Sequence, residues 1–279
     1  MTQRVSRRGF LRRKTRPLRH GAAFLVLRVA VAVLRVLPLR LALALGAGFA
    51  RCVGPVFRRD SRTMRRQLTV LADPPPVGDC WADLGRRVVE LACARRLLAD
   101  VRIHGEGLGE ADRPCGVLVA TVHLGNWELM AAALAARGHA VHAIAALPQT
   151  GPLFRWLGAE RAALGVHTHP PGGGAREAVR ILRDGGAVAL FVDLATRERS
   201  CEVTLFGRPT RMPRTLERLR EMTGADVVFA WTFRDAQGRH HVHLEAVDDP
   251  SPAALAARVE AVVQAHSLQW VWLHDRWPA

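Results

Sequence analysis

The stretch VLVATVHLGNWELMAAALAARGHAVHAIA, residues 117–145, decides the fold. It opens with a short, unbroken apolar run, Val117–Val122, which reads as a buried strand. Leu129–Arg137 is alanine-rich and helical, and Gly138 is a good C-terminal stop. Ala140–Ala145 is a second strand. Strand, helix and strand follow one another within thirty residues of chain, the pattern of an α/β sheet with helices packed over it.

The same alternation continues to the C-terminus. Pro152–Leu164 reads as a helix ending at Gly165, and Gly172-Gly173-Gly174 as a flexible loop. Arg176–Arg183 is helical and stopped by Gly185-Gly186. Ala187–Val192 is a third strand ending on Asp193, and Val203–Phe206 a fourth, after which Gly207 turns the chain. Thr215–Met222 is helical. Val227–Phe233, a turn at Ala236-Gln237-Gly238 and His241–Val247 form a hairpin. Leu255–His266 is helical and leads into a tryptophan-rich tail, Trp270 to Trp277. The predicted architecture is therefore α/β, with a mixed central sheet flanked by helices.

Working toward the N-terminus, the chain becomes polar and helical over 58–100, with a hard break at Pro74-Pro75-Pro76. Within it, Trp81, Leu84, Val88 and Leu91 recur at helical spacing and mark an amphipathic helix over 81–98 that packs on the core. Residues 21–57 are strongly apolar, interrupted by Arg28, Arg35 and Arg40 and broken at Pro38. Each half is shorter than the ~20 apolar residues that a transmembrane helix needs. Arg28 and Arg35 lie seven apart and share one helical face. That is the pattern of a helix lying in a membrane interface with its arginines at the headgroups, a tilted span with snorkelling arginines being the alternative. Two regions result: 1–57, a basic leader and membrane-associating helical segment, and 58–279, an α/β domain.

The leader carries Arg4, Arg7, Arg8, Arg12, Arg13, Lys14, Arg16 and Arg19 with no acid, and stays cytoplasmic under the positive-inside rule. Ser6-Arg7-Arg8-Gly9-Phe10-Leu11 also matches a twin-arginine export signal. Arg28 and Arg35 interrupt the apolar core that such a signal wants, and no small-residue cleavage site follows. The whole chain of 279 residues has a net charge of +15, with Lys14 as its one lysine, so it is drawn to anionic partners. A nucleic-acid-binding module would share that charge but has no use for an apolar segment over 22–57. The five cysteines are isolated, without a Cys-x-x-Cys pair. Their odd number and spacing argue against a disulfide framework or a zinc knuckle.

The sharpest chemical signal is Thr121-Val122-His123-Leu124-Gly125-Asn126-Trp127-Glu128. His123 sits just past a buried strand, and Glu128 in the first turn of the next helix. Strand ends in α/β sheets are where ligands bind. On one straight helix, residues five apart point about 140° away from each other. His123 and Glu128 therefore work together only if His123 is in the loop and Glu128 on the helix, as this reading places them. A carboxylate can then hold one imidazole nitrogen, fix the tautomer and leave the other to accept a proton from a hydroxyl. Gly125 permits a close backbone approach, and Asn126 stands in the position of a helix cap. Other clusters carry less: His240, His241 and His243 lack a cysteine or carboxylate to complete a metal site, there is no Gly-x-Ser-x-Gly, and the glycine run lacks a phosphate-loop ending.

This stretch resembles the His-x-x-x-x-Asp/Glu block of glycerolipid acyltransferases. In its His-(Phe/Leu)-Gly-Asn-Trp-Glu form it resembles the bacterial lipid A biosynthesis (lauroyl/myristoyl) acyltransferase family. Further stretches follow in that family's order. They are Arg161 with Gly165, Leu182–Val188 leading to Asp193, Leu205-Phe206-Gly207-Arg208-Pro209, Thr223-Gly224-Ala225, and Gln269–Trp277. The resemblance runs from about residue 22 to the end. Two departures fall where acceptor or donor headgroups would bind: Asp193 is followed by Leu194 where the family has glutamine, and Met212-Pro213-Arg214-Thr215 replaces a small, glycine-containing stretch.

The resemblance implies a glycerolipid acyltransferase-like fold. It also implies direct acyl transfer from an acyl-carrier-protein or coenzyme A thioester to a lipid hydroxyl, with no acyl-enzyme, metal or bound cofactor. His123 would be the general base and Glu128 its orienting partner. Arg161 would contact phosphate, Asp193 would lie near the site, and Gly125 and Asn126 would help stabilise the oxyanion. The acceptor would be a lipid A precursor or related glycolipid, the alternatives being a phosphatidylinositol mannoside, an aminolipid or a polyene lipid. The partners would be the lipid, the acyl carrier and a membrane surface, without nucleic acid. The location would be the cytoplasmic face of the inner membrane.

Overall fold

A computed structural model of the protein describes residues 24–105, 108, 116–144, 152–169, 171–196 and 199–278. The basic leader, its twin-arginine motif and Cys115 lie outside the described residues. The sheet strands are β1 (Arg102–His104), β2 (Val117–Thr121), β3 (Val141–Ile144), β4 (His167–His169), β5 (Ala187–Phe191), β8 (Asp226–Arg234) and β9 (His240–Ala246). They form one sheet in the order β1-β9-β8-β2-β5-β3-β4. Every neighbouring pair is parallel except β8 and β9, joined as an antiparallel hairpin. The expected mixed α/β sheet is what the chain forms.

β2 is the spine. All five of its residues are buried, because helices cover both faces. Leu118, Ala120 and Val122 join the larger core with α8 (Pro171–Arg183), α9 (Thr215–Thr223) and α10 (Pro252–Ala265). Val117 and Val119 join a second core with α6 (Trp127–Ala135) and the short α5 (Ala94–Leu97). Each fully buried Leu or Val on these faces contributes about 1.5–3 kcal/mol.

Several elements differ from expectation. The glycine run does not form a loop; Gly172–Gly174 lie in the first turn of α8. A separate hairpin pairs β6 (Ser200–Leu205) with β7 (Arg208–Pro213). The RPTRMP sequence of β7 reads as a turn and not as an alternating strand. Its buried Thr210 and Met212 alternate with exposed residues all the same. The edge strands β1 and β4, three residues each, are too short to show a period.

At the N-terminal side, a helix over 24–36, labelled α1, precedes α2 (Leu39–Val53), and both lie against α4 (Val77–Ala92). Gly46 of α2 and Gly85 of α4 meet so closely that a Cβ on Gly85 would collide with the Gly46 carbonyl. Their missing side chains let the two backbones touch. Gly54 closes the end of this contact against the Trp81 ring. α3 (Arg58–Leu68) follows, with Met64 and Leu68 in the larger core and Arg58, Arg59, Arg62, Arg65 and Arg66 all exposed.

The packed layer leaves much apolar surface outside. Val26, Val36, Phe49 and Val56 are each more than half exposed. A groove of about 730 Å³ runs between α1, α2 and α4, walled by Val33, Leu45, Phe49, Val53, Trp81 and Val88. One helical stretch, Leu39–Val56, is long and apolar enough to cross a membrane by length and composition. Arg35, expected at the headgroups, also bonds within the protein. Its Nε donates to the Ala92 carbonyl at 2.8 Å and its Nη2 to Glu160 at 2.6 Å, which ties α1 to the body of the protein. Cys52, Cys80, Cys93 and Cys201 are free thiols, and burial pushes Cys80 up to about 12.

Candidate active site

The register of two neighbouring strands builds the site. Thr121, the last residue of β2, pairs with Phe191, the last residue of β5. The Val192 N–H continues the ladder to the Thr121 carbonyl at 2.9 Å. Two parallel strands in this register bring residues two past each end side by side, and those residues are His123 and Asp193. They meet at the carboxyl ends of the parallel strands, where an α/β sheet opens.

His123 Nδ1 lies 2.7 Å from Asp193 Oδ1, and the His123 backbone N–H donates to Asp193 Oδ2 at 3.0 Å. The carboxylate that holds the imidazole is therefore Asp193, not Glu128. The Asp193 side chain is wholly buried, and its Oδ2 also accepts from Trp270 Nε1 and Arg276 Nη2, each at 2.8 Å. Burial alone would raise the Asp193 pKa. The charges of His123 and Arg276 and the bonds from His123 outweigh it and hold the carboxyl well below the usual carboxylate range. An acceptor-only carboxylate makes Nδ1 the protonated nitrogen and leaves Nε2 with its lone pair.

Aromatic rings fix the imidazole plane. Phe191 stacks on His123 with centroids 3.8 Å apart, and Trp127 meets it edge-on at 5.1 Å. The C-terminal tail closes the other side. The Gly125 N–H donates to the Gln269 carbonyl and the Val271 N–H to the His123 carbonyl, both at 2.9 Å. Arg276 is fully buried over the Trp270 ring, 3.6 Å from its centroid, and its Nε donates to the Asp193 carbonyl at 2.7 Å. His274 from the same tail lies 4.7 Å from His123, ring to ring. Burial, then the charges of His123 and Arg276, push His274 down to about 4.

Glu128 has other partners than His123, for a geometric reason. α6 begins at Trp127, so Glu128 is its second residue and projects toward α7 (Pro152–Ala163). There Arg161 Nε donates to Glu128 Oε2 at 2.7 Å and Arg161 Nη2 binds Oε1, a two-pronged pair. Trp127 Nε1 donates to the same carboxylate at 3.1 Å, so Glu128 holds the ring that holds His123. Arg161, expected to meet phosphate, has its charge matched inside the protein, and its Nη1 is buried without a partner among the described residues.

Gly125 and Asn126, expected at the oxyanion, are spent within the fold. Gly125 has φ +57°, and a Cβ there would strike the Thr232 carbonyl. Its N–H is taken by Gln269. Asn126 caps α6, accepting from the Leu129 N–H at 3.1 Å, while its Nδ2 donates to Glu90 Oε2 at 2.9 Å. Glu90 belongs to a buried charge network that the sequence did not reveal. Arg234 binds both Glu90 and Asp83, and Arg87 Nε donates to Asp83 at 2.8 Å. Burial works to raise Glu90, but neighbouring His240, Arg234 and Asn126 hold it down at about 2. Asn126 thus ties the His123 loop to α4, whose opposite face lines the apolar groove.

Among the described residues, no group of three or more His, Cys, Asp or Glu side chains is placed to hold a metal ion. The sequence held two further site residues without assigning them a role, Arg276 and His274. Their signal was the tail Gln269–Trp277, in which the polar run His274-Asp275-Arg276 follows the apolar run Trp270–Leu273.

Residues 95–279 match the family model described as bacterial lipid A biosynthesis acyltransferase. A phosphatidylinositol mannoside acyltransferase of Mycobacterium tuberculosis is 28% identical over 174 residues, 59% of this chain and 55% of that protein. The protein of the same name from Mycolicibacterium smegmatis is 27% identical over 174 residues, 59% of this chain and 57% of its own. The chain thus spans about half the length of the curated relatives it matches. Among solved structures, the 1-acyl-sn-glycerophosphate acyltransferase PlsC of Thermotoga maritima is 20% identical, covers 81% of this chain and 93% of its own, and gives a TM-score of 0.37.

Proposed function

Because the chain belongs to the bacterial lipid A biosynthesis acyltransferase family, we propose that it moves a fatty acyl group from a thioester to a hydroxyl of a glycolipid. The observation that carries this reading is the His123–Asp193 pair at 2.7 Å. Its Nδ1 is committed to a buried carboxylate, which leaves Nε2 to accept a proton. In the reaction, the lipid hydroxyl gives its proton to Nε2 as its oxygen attacks the thioester carbon. Asp193 steadies the imidazolium that forms. Collapse of the tetrahedral adduct breaks the carbon–sulfur bond, and the leaving thiolate takes the proton back from Nε2. No acyl-enzyme is formed and no metal or cofactor is called upon. Glu128 and Arg161 act one step back, by setting the Trp127 ring.

The proposed donor is an acyl-carrier-protein or coenzyme A thioester. The proposed acceptor is a phosphatidylinositol mannoside, favoured by the names of the two mycobacterial relatives. A lipid A precursor is the second reading, favoured by the description of the matched family. We place the protein at the cytoplasmic face of the inner membrane, with the exposed apolar layer of α1 and α2 against the lipid and the arginines of α3 near the headgroups. The test is to incubate the purified protein with palmitoyl-coenzyme A and each acceptor, and to read the products by mass spectrometry. The expected result is one added acyl chain on the mannoside, absent with His123→Ala. Turnover by His123→Ala at the wild-type rate would sink the proposal.

A further inference from the structure

A general base explains how the hydroxyl is activated, but the thioester oxygen gathers negative charge in the same step and needs a donor. The donors around His123 are nearly all committed. Gly125 N–H and the Asn126 amide are bound within the fold, as shown above. Trp270 Nε1 is held by Asp193 and Trp127 Nε1 by Glu128. All three nitrogens of Arg276 donate to Asp193 or to the Val271 carbonyl. The Thr121 hydroxyl has no partner among the described residues but is sealed from solvent.

His274 differs from all of these. It is half-buried, and neither of its ring nitrogens has a hydrogen-bond partner among the described residues, yet neither is sealed in. Its ring lies 4.7 Å from that of His123, tilted by 58°. It is also placed rigidly. Val271 on one side is bonded to the His123 carbonyl, and Arg276 on the other is bonded to Asp193. A hydroxyl held by His123 stands ~3–3.5 Å from the carbon it attacks. The oxygen on that carbon then falls within reach of the adjoining ring.

We propose that His274 is a second catalytic histidine, whose ring N–H donates to the thioester carbonyl oxygen and to the oxyanion it becomes. This inference rests on the acyl-transfer reading above. The buried surroundings, with the charge of Arg276, keep the ring neutral near neutral pH, and Asp193 opposes them. A neutral imidazole gives a hydrogen bond without giving up its proton, which suits an electrophile beside a base. No proton is transferred by His274 in either direction.

The experiment compares His274→Phe, which keeps a ring and removes both nitrogens, with His274→Gln, which keeps an N–H donor. Acyl transfer from palmitoyl-coenzyme A to a phosphatidylinositol mannoside is followed across pH, with thermal melts to confirm folding. The expected loss in kcat for the Phe variant is ~10²–10³-fold, the usual effect of removing one oxyanion donor. KM should move by no more than about threefold, because the interaction strengthens only in the transition state. The Gln variant should recover to within about tenfold of wild type and keep the acid limb of the pH profile. Three results would overturn the proposal: a fully active Phe variant, a folded Gln variant as slow as Phe, or loss of the acid limb on removing His274, which would make it the base. Inactivity of His123→Ala beside a fully active Phe variant rejects the role of His274 alone. Acyl transfer by a folded His123→Ala rejects His123 as the base, and no transfer by the wild-type protein to the acceptors offered rejects the acyl-transfer reading itself.

Discussion

Replacing Asp193 with asparagine keeps the shape of the side chain and removes one charge, and the surrounding donors dictate which way the new amide must face. Among the described residues, Asp193 Oδ2 receives three hydrogen bonds, from the His123 backbone, Trp270 and Arg276, while Oδ1 meets only His123 Nδ1. An asparagine must keep its oxygen toward the three donors, since its NH2 there would set donors against donors. The NH2 is then forced onto Nδ1. A donor at Nδ1 stabilises the wrong tautomer, in which Nε2 carries the hydrogen and has no lone pair for the hydroxyl. The expected fall in kcat is ~10³–10⁴-fold, the size seen when a triad carboxylate is made neutral. There is a stability cost as well. Arg276 has 1% of its side chain exposed and loses its counter-charge. Stranding a buried charge costs about 3–5 kcal/mol, so the assay must run well below the melting temperature of the variant. Glu128→Gln is the control that separates the two carboxylates. It strands Arg161 but leaves the His123 tautomer alone, so its kcat should stay within about tenfold of wild type. Steady-state rates with palmitoyl-coenzyme A, together with nitrogen-15 chemical shifts of the His123 ring, read both effects. A folded Asp193→Asn enzyme at wild-type speed, beside a folded but dead Glu128→Gln, would refute the assignment of Asp193.

Acid should destabilise the fold in two stages. His274 sits at about 4 against an ordinary 6.5, so the unfolded chain binds a proton that the folded one refuses, and stability falls as pH drops from ~6.5 to ~4. Burial lowers His142, His243 and His266 in the same direction. Glu90, lowered from 4.5 to about 2, then loses its contribution between those values. Thermal melts at stepped pH should show a steady decline below neutrality, and a shallower first stage in His274→Gln; a melting temperature flat from pH 7 to 4 would contradict this. Separately, Val33→Asp with Phe49→Asp, at positions 49% and 71% exposed, should cut binding to anionic phospholipid vesicles by at least about tenfold. Undiminished co-sedimentation would argue against α1 and α2 as the membrane face.

Most of the sheet was legible because its strands carry their own signal. β2 is buried on both faces and has to be a continuous apolar run, and β5 is one too, although only its alternate residues are fully buried. The glycines after α6, α7 and α8 marked helix ends, and Gly138, Gly165 and Gly185 all take the positive φ that such ends require. The run Gly172–Gly174 misled for a related reason. Glycine weakens a helix locally, but the strongly amphipathic remainder of α8 packs on the core through Ala178, Ile181 and Leu182, and its first turn comes with it.

The site was legible in its base and not in the partner of that base, and the difference is one of range. Reading along the chain favours partners a few residues away, so His123 was joined to Glu128. The acid that reaches it is seventy residues distant. Strand register supplies the connection. Once β2 and β5 are neighbours with Thr121 opposite Phe191, the first residue past each strand end continues the ladder and the second faces its counterpart across the sheet opening. An acid two residues beyond a buried parallel strand, and a histidine two residues beyond another, are then forced together if the strands are adjacent. That adjacency is a tertiary fact, set by how the helices pack. The tail was hidden for the same reason. Trp270 and Arg276 look like an aromatic, basic tail until Asp193 is seen between them, carrying a negative charge that makes burying Arg276 tolerable. The carboxylate therefore has two tasks that cannot be separated by sequence distance: it sets the histidine tautomer, and it anchors the segment that brings His274 to the same opening.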